Sequence, residues 1–392
     1  MEQVNNIKKI ILVDDLTSIN EIEIFSNHDD VKIITFDYIS HIKLNEKSIK
    51  HEISEIYLNV DIKKFQEKCN DFLYWYDLDI IKKNINFLGI NIPKLYTEQL
   101  IHPIIKISKK FSELKYIINK FPNSNISASS DLFLMSKLLT KSVTEIPNGS
   151  NSKFYFDNIE IGKNIGNKNI KFSISKSSYK KIKNISEKFL GLTSQNKNND
   201  VSTKSTLLVE LNTKFFDNFL LETKKINKNI LYYGRRRPAV WDLKSFKIIK
   251  NSGCGIITSD SINNTELKNH QKIINKLKED FLEILENNTE LKNFFSIDNI
   301  SILSVLVPTI TRLIVDRLDE IIFEIILAKQ TFENSNIDSV VIISEIGMTE
   351  QIISKFAKER KIPIFHLQEG LHIDTVEGVL NCQQQGVFLD SA

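Results

Sequence analysis

Glycine is scarce in this sequence, 12 of 392 residues, and neither GxGxxG nor GxxxxGK followed by Ser or Thr occurs. The glycine-rich loops that bring backbone amides onto phosphate are absent, so a nucleotide has to be held by other means. Cysteine is scarcer still. Cys69, Cys254 and Cys382 stand far apart with no CxxC pair, which excludes a disulfide framework and a structural zinc site of the usual spacing. Long apolar runs are missing as well. The richest segment, 302–328, is broken by Arg312, Asp316, Arg317, Asp319, Glu320 and Glu324, whereas a membrane span needs about 20 apolar residues. The N-terminus offers only the run 10–13, too short for a secretory signal. These absences describe a reduced, cytoplasmic protein. There is no HExxH, no GxSxG and no spacing of metal ligands, so no metal is called for. Lys+Arg 52 against Asp+Glu 49 leaves a net charge of +3, too even for general nucleic-acid binding.

Arginine is the informative shortage. Six arginines stand beside 46 lysines, and three of the six are consecutive: Arg235, Arg236 and Arg237. The guanidinium is a planar fork of donors that matches phosphate or carboxylate. Its concentration where lysine is the default cation marks a candidate anion site. The alternative is a solvated charge run paired with acids such as Asp242.

The chain alternates short apolar runs with helical periodicity. Strands are expected at 7–13, 31–36, 55–59, 125–128 and 143–146, and helices at 61–76, 93–120 and 131–140. A turn follows at 147–150. From 151 to 204 the texture changes to a small hairpin, a helix over 177–190 and a polar linker. A second series then runs 206–210, 229–233 and 255–258 as strands, with helices at 214–226, 245–250 and 267–285. A long helix over 300–331 is expected to bend near Pro308. The series closes on a βαβ unit: strand 339–344, helix 349–360, strand 363–367. No internal repeat of 20–50 residues is visible. The expected fold is α/β with Rossmann-like, mostly parallel sheets and a small α+β insertion. The expected segments are 1–150, 151–204 and 205–392.

Candidate site residues follow from strand ends, because open parallel sheets bind ligands outside the carboxyl ends of their strands. Glu345 and Gly347 follow one strand of the βαβ unit, and Thr349 is placed to cap its helix. Glu369, Gly370 and His372 follow the other strand. His366 reads as a core histidine, and Glu369 and His372 as the acid/base candidates. Glu210 ends the strand 206–210, beside the arginine triplet, as an acid or hydroxyl ligand. Asp14, with Asp15, ends the first strand, as a sugar or metal ligand or a helix cap. Trp75 and Tyr76 read as core packing, and Cys254 as a thiol with no histidine near it in sequence.

The run Glu345-x-Gly347, Ala357, Ile362-Pro363, Leu367-Gln368-Glu369-Gly370 resembles the pattern E-x-G, A, G-I-P, L-Q-H-G of bacterial surface-polysaccharide glycosyltransferases of the GT-B type. Relatives of the capsule and teichoic-acid polymerases carry that pattern. The resemblance covers about 50 of the 392 residues, and Glu369 stands where the pattern has histidine. It implies two Rossmann-like domains and sugar transfer from a nucleotide-sugar to a glycan or lipid-linked acceptor. No cofactor would be tightly bound. The partners would be those two substrates, with peripheral membrane association and a homodimer as further expectations. Two layouts stay open: a chain truncated before its nucleotide-sugar-binding domain, or 1–146 and 206–392 as the two lobes themselves. Two other functions also stay open, a sugar-nucleotide epimerase of similar architecture and a non-catalytic glycan- or partner-binding module.

Overall fold

The computed structural model describes residues 7–25, 28–58, 60–148, 158–165, 168–175, 178–179, 181–183, 185, 204–211, 217–225, 228–236, 238–240, 243–258 and 269–367. In chain order the first elements are β1 (Lys9–Val13), α1 (Ile19–Glu23), β2 (Val31–Thr35), α2 (Tyr38–Glu46), β3 (Glu52–Ile53), α3 (Ile62–Phe72), α4 (Asp79–Asn84), β4 (Asn86–Phe87) and β5 (Ile90–Asn91). Then come α5 (Thr97–Lys120), β6 (Asn125–Ala128), α6 (Ser130–Leu139), β7 (Val143–Glu145), β8 (Asn158–Ile165) and β9 (Lys168–Ser175). The second series is β10 (Ser205–Val209), α7 (Asp217–Lys225), β11 (Asn229–Tyr233), α8 (Leu243–Ser252), β12 (Gly255–Ile256), α9 (Gln271–Asn287) and α10 (Thr289–Phe294). It ends with β13 (Ser296–Ile297), β14 (Ile300–Ser301), α11 (Leu303–Leu313), α12 (Leu318–Asn334), β15 (Ile337–Ile342), α13 (Met348–Glu359) and β16 (Ile364–His366).

Two five-stranded sheets carry the fold, in the orders β3-β2-β1-β6-β7 and β12-β11-β10-β15-β16. Every pairing within them is parallel. This is the doubly wound, Rossmann-like arrangement. In each sheet the third crossover jumps back past the first strand, so the strand order reverses there. The two sheets have the same strand order, a likeness between halves of the chain that no run of identical residues announces.

The chain divides into two compact units, each built of three stretches. The first holds Met1–Ile85, Gln99–Lys153 and Lys278–Asp316, and the second Asn86–Glu98, Phe154–Leu277 and Arg317–Ala392. Each sheet lies in its own unit. The two-residue hairpins are exchanged: β4–β5 belongs to the second unit and β13–β14 to the first. Both hairpins turn through two residues of positive φ, Leu88 and Gly89 in one, Asp298 and Asn299 in the other, as a tight turn matched to strand twist requires.

In the first unit, Ile10 to Val13 are wholly buried, as expected of a strand covered by helices on both faces. Trp75 is buried and stacks on Phe281 at 6.1 Å, so the aromatic end of the third helix is core. In the second unit, Leu208, Tyr232, Ile248, Val341 and their neighbours form the core beneath the sheet. The Tyr232 hydroxyl there donates to the Leu211 carbonyl. Between the two series, β8 and β9 form the antiparallel hairpin expected near 154.

Two expectations need correcting. Residues 54–57 form a 3₁₀ turn rather than a strand, because Tyr57 turns inward to meet Glu52 while Ile53 and Ile56 are exposed. The long helix expected over 300–331, with a bend near Pro308, is instead the strand β14 followed by two helices. That proline sits inside α11, which continues to Leu313, and the break is the turn at Val315–Arg317. Within a helix a proline removes a backbone bond and crowds the preceding turn, a cost that the buried face formed by Leu306, Ile310 and Leu313 outweighs.

Candidate functional site at the reversal point of the second sheet

Strand register brings three loops of the second unit to one edge. Val209 pairs with Tyr233, Leu208 with Val341, and Ile342 with His366. Glu210, the Gly234–Arg236 turn and the 343–347 loop are therefore neighbours beyond the carboxyl ends of β10, β11 and β15. The edge between β10 and β15 is where the strand order reverses, the place where open parallel sheets hold ligands.

Glu210 organises this edge. Its backbone is left-handed at φ 55, unusual for a residue with a side chain, and its side chain is buried. Its Oε1 accepts the N–H of Arg235 at 2.7 Å and of Arg236 at 2.8 Å. Two successive backbone amides aimed at one anion form the concavity that phosphate loops use. Here a carboxylate of the chain occupies it, so Glu210 serves as an internal anion and not as an open acid.

The arginine triplet separates into different roles. Arg235 is inward. Its Nε donates to Glu324 Oε2 at 2.7 Å and its Nη2 to Glu324 Oε1 at 2.9 Å, with both side chains nearly buried. Arg236 is half exposed, at 52% for the side chain, and pairs through Nη2 with Oε1 of Glu350. Its Nε lies 4.0 Å from Glu210 Oε1. Arg237 lies outside the described residues, as do Glu369, Gly370 and His372. Trp241 and Asp242, beside the triplet in sequence, lie outside them too. Over the same turn, Lys183 donates to the Gly234 carbonyl at 2.7 Å and the Tyr179 hydroxyl to the Arg236 carbonyl at 3.1 Å. Part of the 151–204 insertion thus rests on this turn.

Glu350, on the first turn of α13, is the residue that sequence reasoning missed. Its side chain is fully buried, and its Oε2 has no hydrogen-bond partner. Burial pushes its carboxyl up to about 7, against the lowering effect of Arg236; Glu210 and Glu98 push further upward. Gly347 makes room for it. A Cβ there would stand 2.8 Å from Glu350 Cδ and 2.9 Å from Arg236 Nη2, closer than side chains approach. The glycine does permit a close approach, and the group that approaches is the chain's own carboxylate–guanidinium pair. Gly347 is also the residue before α13 and caps it without a side-chain bond, so Thr349, buried inside the first turn, is not the cap.

Glu345 is buried with its Oε1 3.3 Å from Nδ1 of His366, and its Oε2 has no partner. Burial raises its carboxyl, with His366 opposing. His366 is therefore more than core filling, since its ring faces a carboxylate at a strand end. Gln351 adds a third buried, partnerless oxygen nearby in sequence, with its Nε2 donating to the Ile346 carbonyl at 2.7 Å.

Asp14 belongs to the first unit, at the end of β1. It is buried and spent on internal partners: Lys110 Nζ at 3.0 Å, Thr17 Oγ1 at 3.1 Å and the Leu16 N–H at 3.2 Å. It is neither a free ligand nor a helix cap. Asp131, close by, is pushed up by burial, opposed by Lys110 and reinforced by Asp14. Among the described residues no group of three His, Cys, Asp or Glu is arranged to hold a metal ion, and no helix is long and apolar enough to cross a membrane. Cys254 is buried, and burial pushes its thiol up to about 12, the opposite of what a nucleophile needs.

The sequence did carry signals for the missed acids. Glu324 is a lone carboxylate in the stretch Ile-Ile-Phe-Glu-Ile-Ile-Leu-Ala of α12, and a charge so placed is buried only with a partner. Glu350 sits three residues after Gly347, on a first helical turn. Nothing in its spacing says that it folds back over the glycine.

No protein-family model matches the chain, and no curated protein matches it. One solved structure aligns, the adenylation, ketoreductase and pseudo-Asub multidomain structure of a keto acid-selecting NRPS module. It is 9% identical over 92% of this chain and 33% of that chain, with a TM-score of 0.19. This chain spans a third of that protein's length, and an overlay so slight carries no argument about fold or function.

Proposed function

We propose that this chain is a glycosyltransferase of surface-carbohydrate assembly, moving a sugar from a nucleotide-sugar to a glycan or lipid-linked acceptor. The observation that supports this reading is the presence, in one chain, of two parallel five-stranded sheets of the same strand order. Transferases of the GT-B type, which the closing βαβ unit resembles, are built on two such sheets. In this reading Arg236 meets the diphosphate at the reversal point of the second sheet and offsets charge as the leaving group departs. Arg235 and Glu210 hold its backbone in place. Glu369 and His372 remain the acid/base candidates, and the reading includes no tightly bound cofactor.

Calorimetry of the chain against a panel of nucleotide-sugars, followed by product analysis with glycan acceptors, tests the proposal. The expected result is binding of one donor class, weakened at least tenfold in Arg236→Ala. A folded protein that binds no member of the panel refutes it. Release of an isomerised nucleotide-sugar without acceptor assigns the chain to the epimerases instead.

A further inference from the structure

The Arg236–Glu350 pair joins two unlike environments. Arg236 is half exposed at the reversal point, while Glu350 is fully buried. The groups facing Glu350 from the packed elements are Arg236 from the turn after β11, Glu210 from the end of β10 and Glu98 from the start of α5. Arg236 is the single cation in that set; the others are carboxylates. The second oxygen of Glu350 accepts nothing, and Gly347 leaves the carboxyl lodged against the backbone. Beyond this circle, Arg235 is committed to Glu324, and Glu345 faces His366.

An anion reaching the reversal point meets Arg236 first. A guanidinium that turns its fork toward a diphosphate gives up Glu350. Among the described residues, Glu350 would then be a buried carboxylate facing Glu210 and Glu98 without the cation that opposes them. An ionised group so placed costs several kcal/mol, and protonation removes most of that cost. We propose that a diphosphate diester takes Arg236 from Glu350 and that Glu350 takes up one proton from solvent in the same step. The diester brings two negative charges and protonation of Glu350 removes one, so the site gains one net negative charge instead of two. Release of the diester returns Arg236 to Glu350 and the proton to solvent. Binding is therefore proton-linked, tighter on the acidic side. This rests on reading the site as a diphosphate site, and it deepens that reading by naming how the site discharges itself.

Dimethyl diphosphate is a suitable probe, because its charge does not change near neutral pH. Isothermal calorimetry on the full chain in buffers of different ionisation enthalpy at pH 8 should show uptake approaching one proton per bound diester. The affinity should fall about tenfold per pH unit above pH 7, the limit for one linked proton. Glu350→Gln should bind at least as tightly as the parent, with no proton uptake and no pH slope between 6 and 9. Arg236→Ala should lose at least tenfold in affinity. Matching far-UV circular dichroism establishes that each variant is folded. A nucleoside diphosphate diester and the bare nucleoside form the other arms: binding of the first and of dimethyl diphosphate, but not of the nucleoside, assigns the effect to the phosphates.

Binding of dimethyl diphosphate without proton uptake, or with unchanged linkage in Glu350→Gln, overturns the inference and leaves the transferase reading standing. No binding of any diester overturns the inference as well. Proton-linked diester binding in a chain that turns over no nucleotide-sugar supports the inference while the transferase reading falls.

Discussion

The Arg235–Glu324 pair offers a direct test of how the site is supported. Both side chains are nearly excluded from water, and two N–H donors meet two carboxylate oxygens at 2.7 and 2.9 Å. At an effective dielectric near 20, charges about 4 Å apart attract by about 4 kcal/mol, and desolvating each ion costs several kcal/mol in return. The intact pair is thus near break-even, while a broken pair is not. Arg235→Ala leaves the buried Glu324 side chain without its guanidinium, beside Tyr233, whose hydroxyl burial already raises and Glu324 raises further. The expected loss is about 3–5 kcal/mol for either single truncation, two to nearly four powers of ten in the folding equilibrium. With a urea slope of about 3 kcal/mol/M, the midpoint moves by roughly 1–1.7 M. Arg235→Met combined with Glu324→Leu should recover most of that loss, because it removes both charges and keeps the volume. Urea unfolding followed by circular dichroism, with hydrogen exchange over β10 and β11 to locate the change, reads all three variants. Single truncations that shift the midpoint by less than about 0.3 M, or a double variant no better than the singles, would refute the argument.

Further outcomes follow from the same geometry. Gly347→Ala has no backbone strain to overcome, since φ is −72, so its cost of about 1–3 kcal/mol is overpacking against Glu350; adding Glu350→Ala should return part of it in urea titrations. Glu350 is held at about 7, above its ordinary 4.5. Its stabilising contribution is therefore complete below pH 4.5 and fades as pH rises through 7. Relative to Glu350→Gln, the parent should lose up to about 1.4 kcal/mol per pH unit across that window, measured from unfolding midpoints at several pH values. The thiols of Cys69 and Cys254 are buried and pushed up to about 11 and about 12, so iodoacetamide at pH 8 should label both in urea and neither in the folded chain, read by peptide mass spectrometry.

Much of the scaffold is legible in the sequence because buried parallel strands write themselves as apolar runs. The strands at 125–128 and 229–233 have the expected bounds, and the closing βαβ unit forms from the segments expected for it. What stays hidden has physical reasons. Two-residue strands have no period, so Asn86–Phe87 and Ser296–Ile297 give no signal. Three of the five boundaries between units fall within α5 and α9 and in the turn before α12, where composition does not change. At the candidate site, the sequence places Glu210, the arginines, Glu345 and Gly347 at strand ends, and the register brings Glu210, Arg235, Arg236, Glu345 and Gly347 to one edge. The sequence does not divide inward from outward roles, because that depends on Glu324 and Glu350 arriving from distant helices.

The interleaving of the chain has a consequence for how the protein is made. The first unit's sheet is complete in sequence by β7, yet its core is not, because Phe281 and Phe295 supply the partners of Trp75 and Phe295 also packs on Phe72. During synthesis those residues emerge after the whole of β10 to β12. At 5–20 residues per second, the interval between residues 153 and 316 is roughly 8–30 s. Through that interval Phe72 and Trp75 of the nascent first unit lack these aromatic partners, so a chaperone that shields aromatic surface should bind chains stalled near residue 200 and release those stalled beyond residue 316 and the length of the ribosomal tunnel.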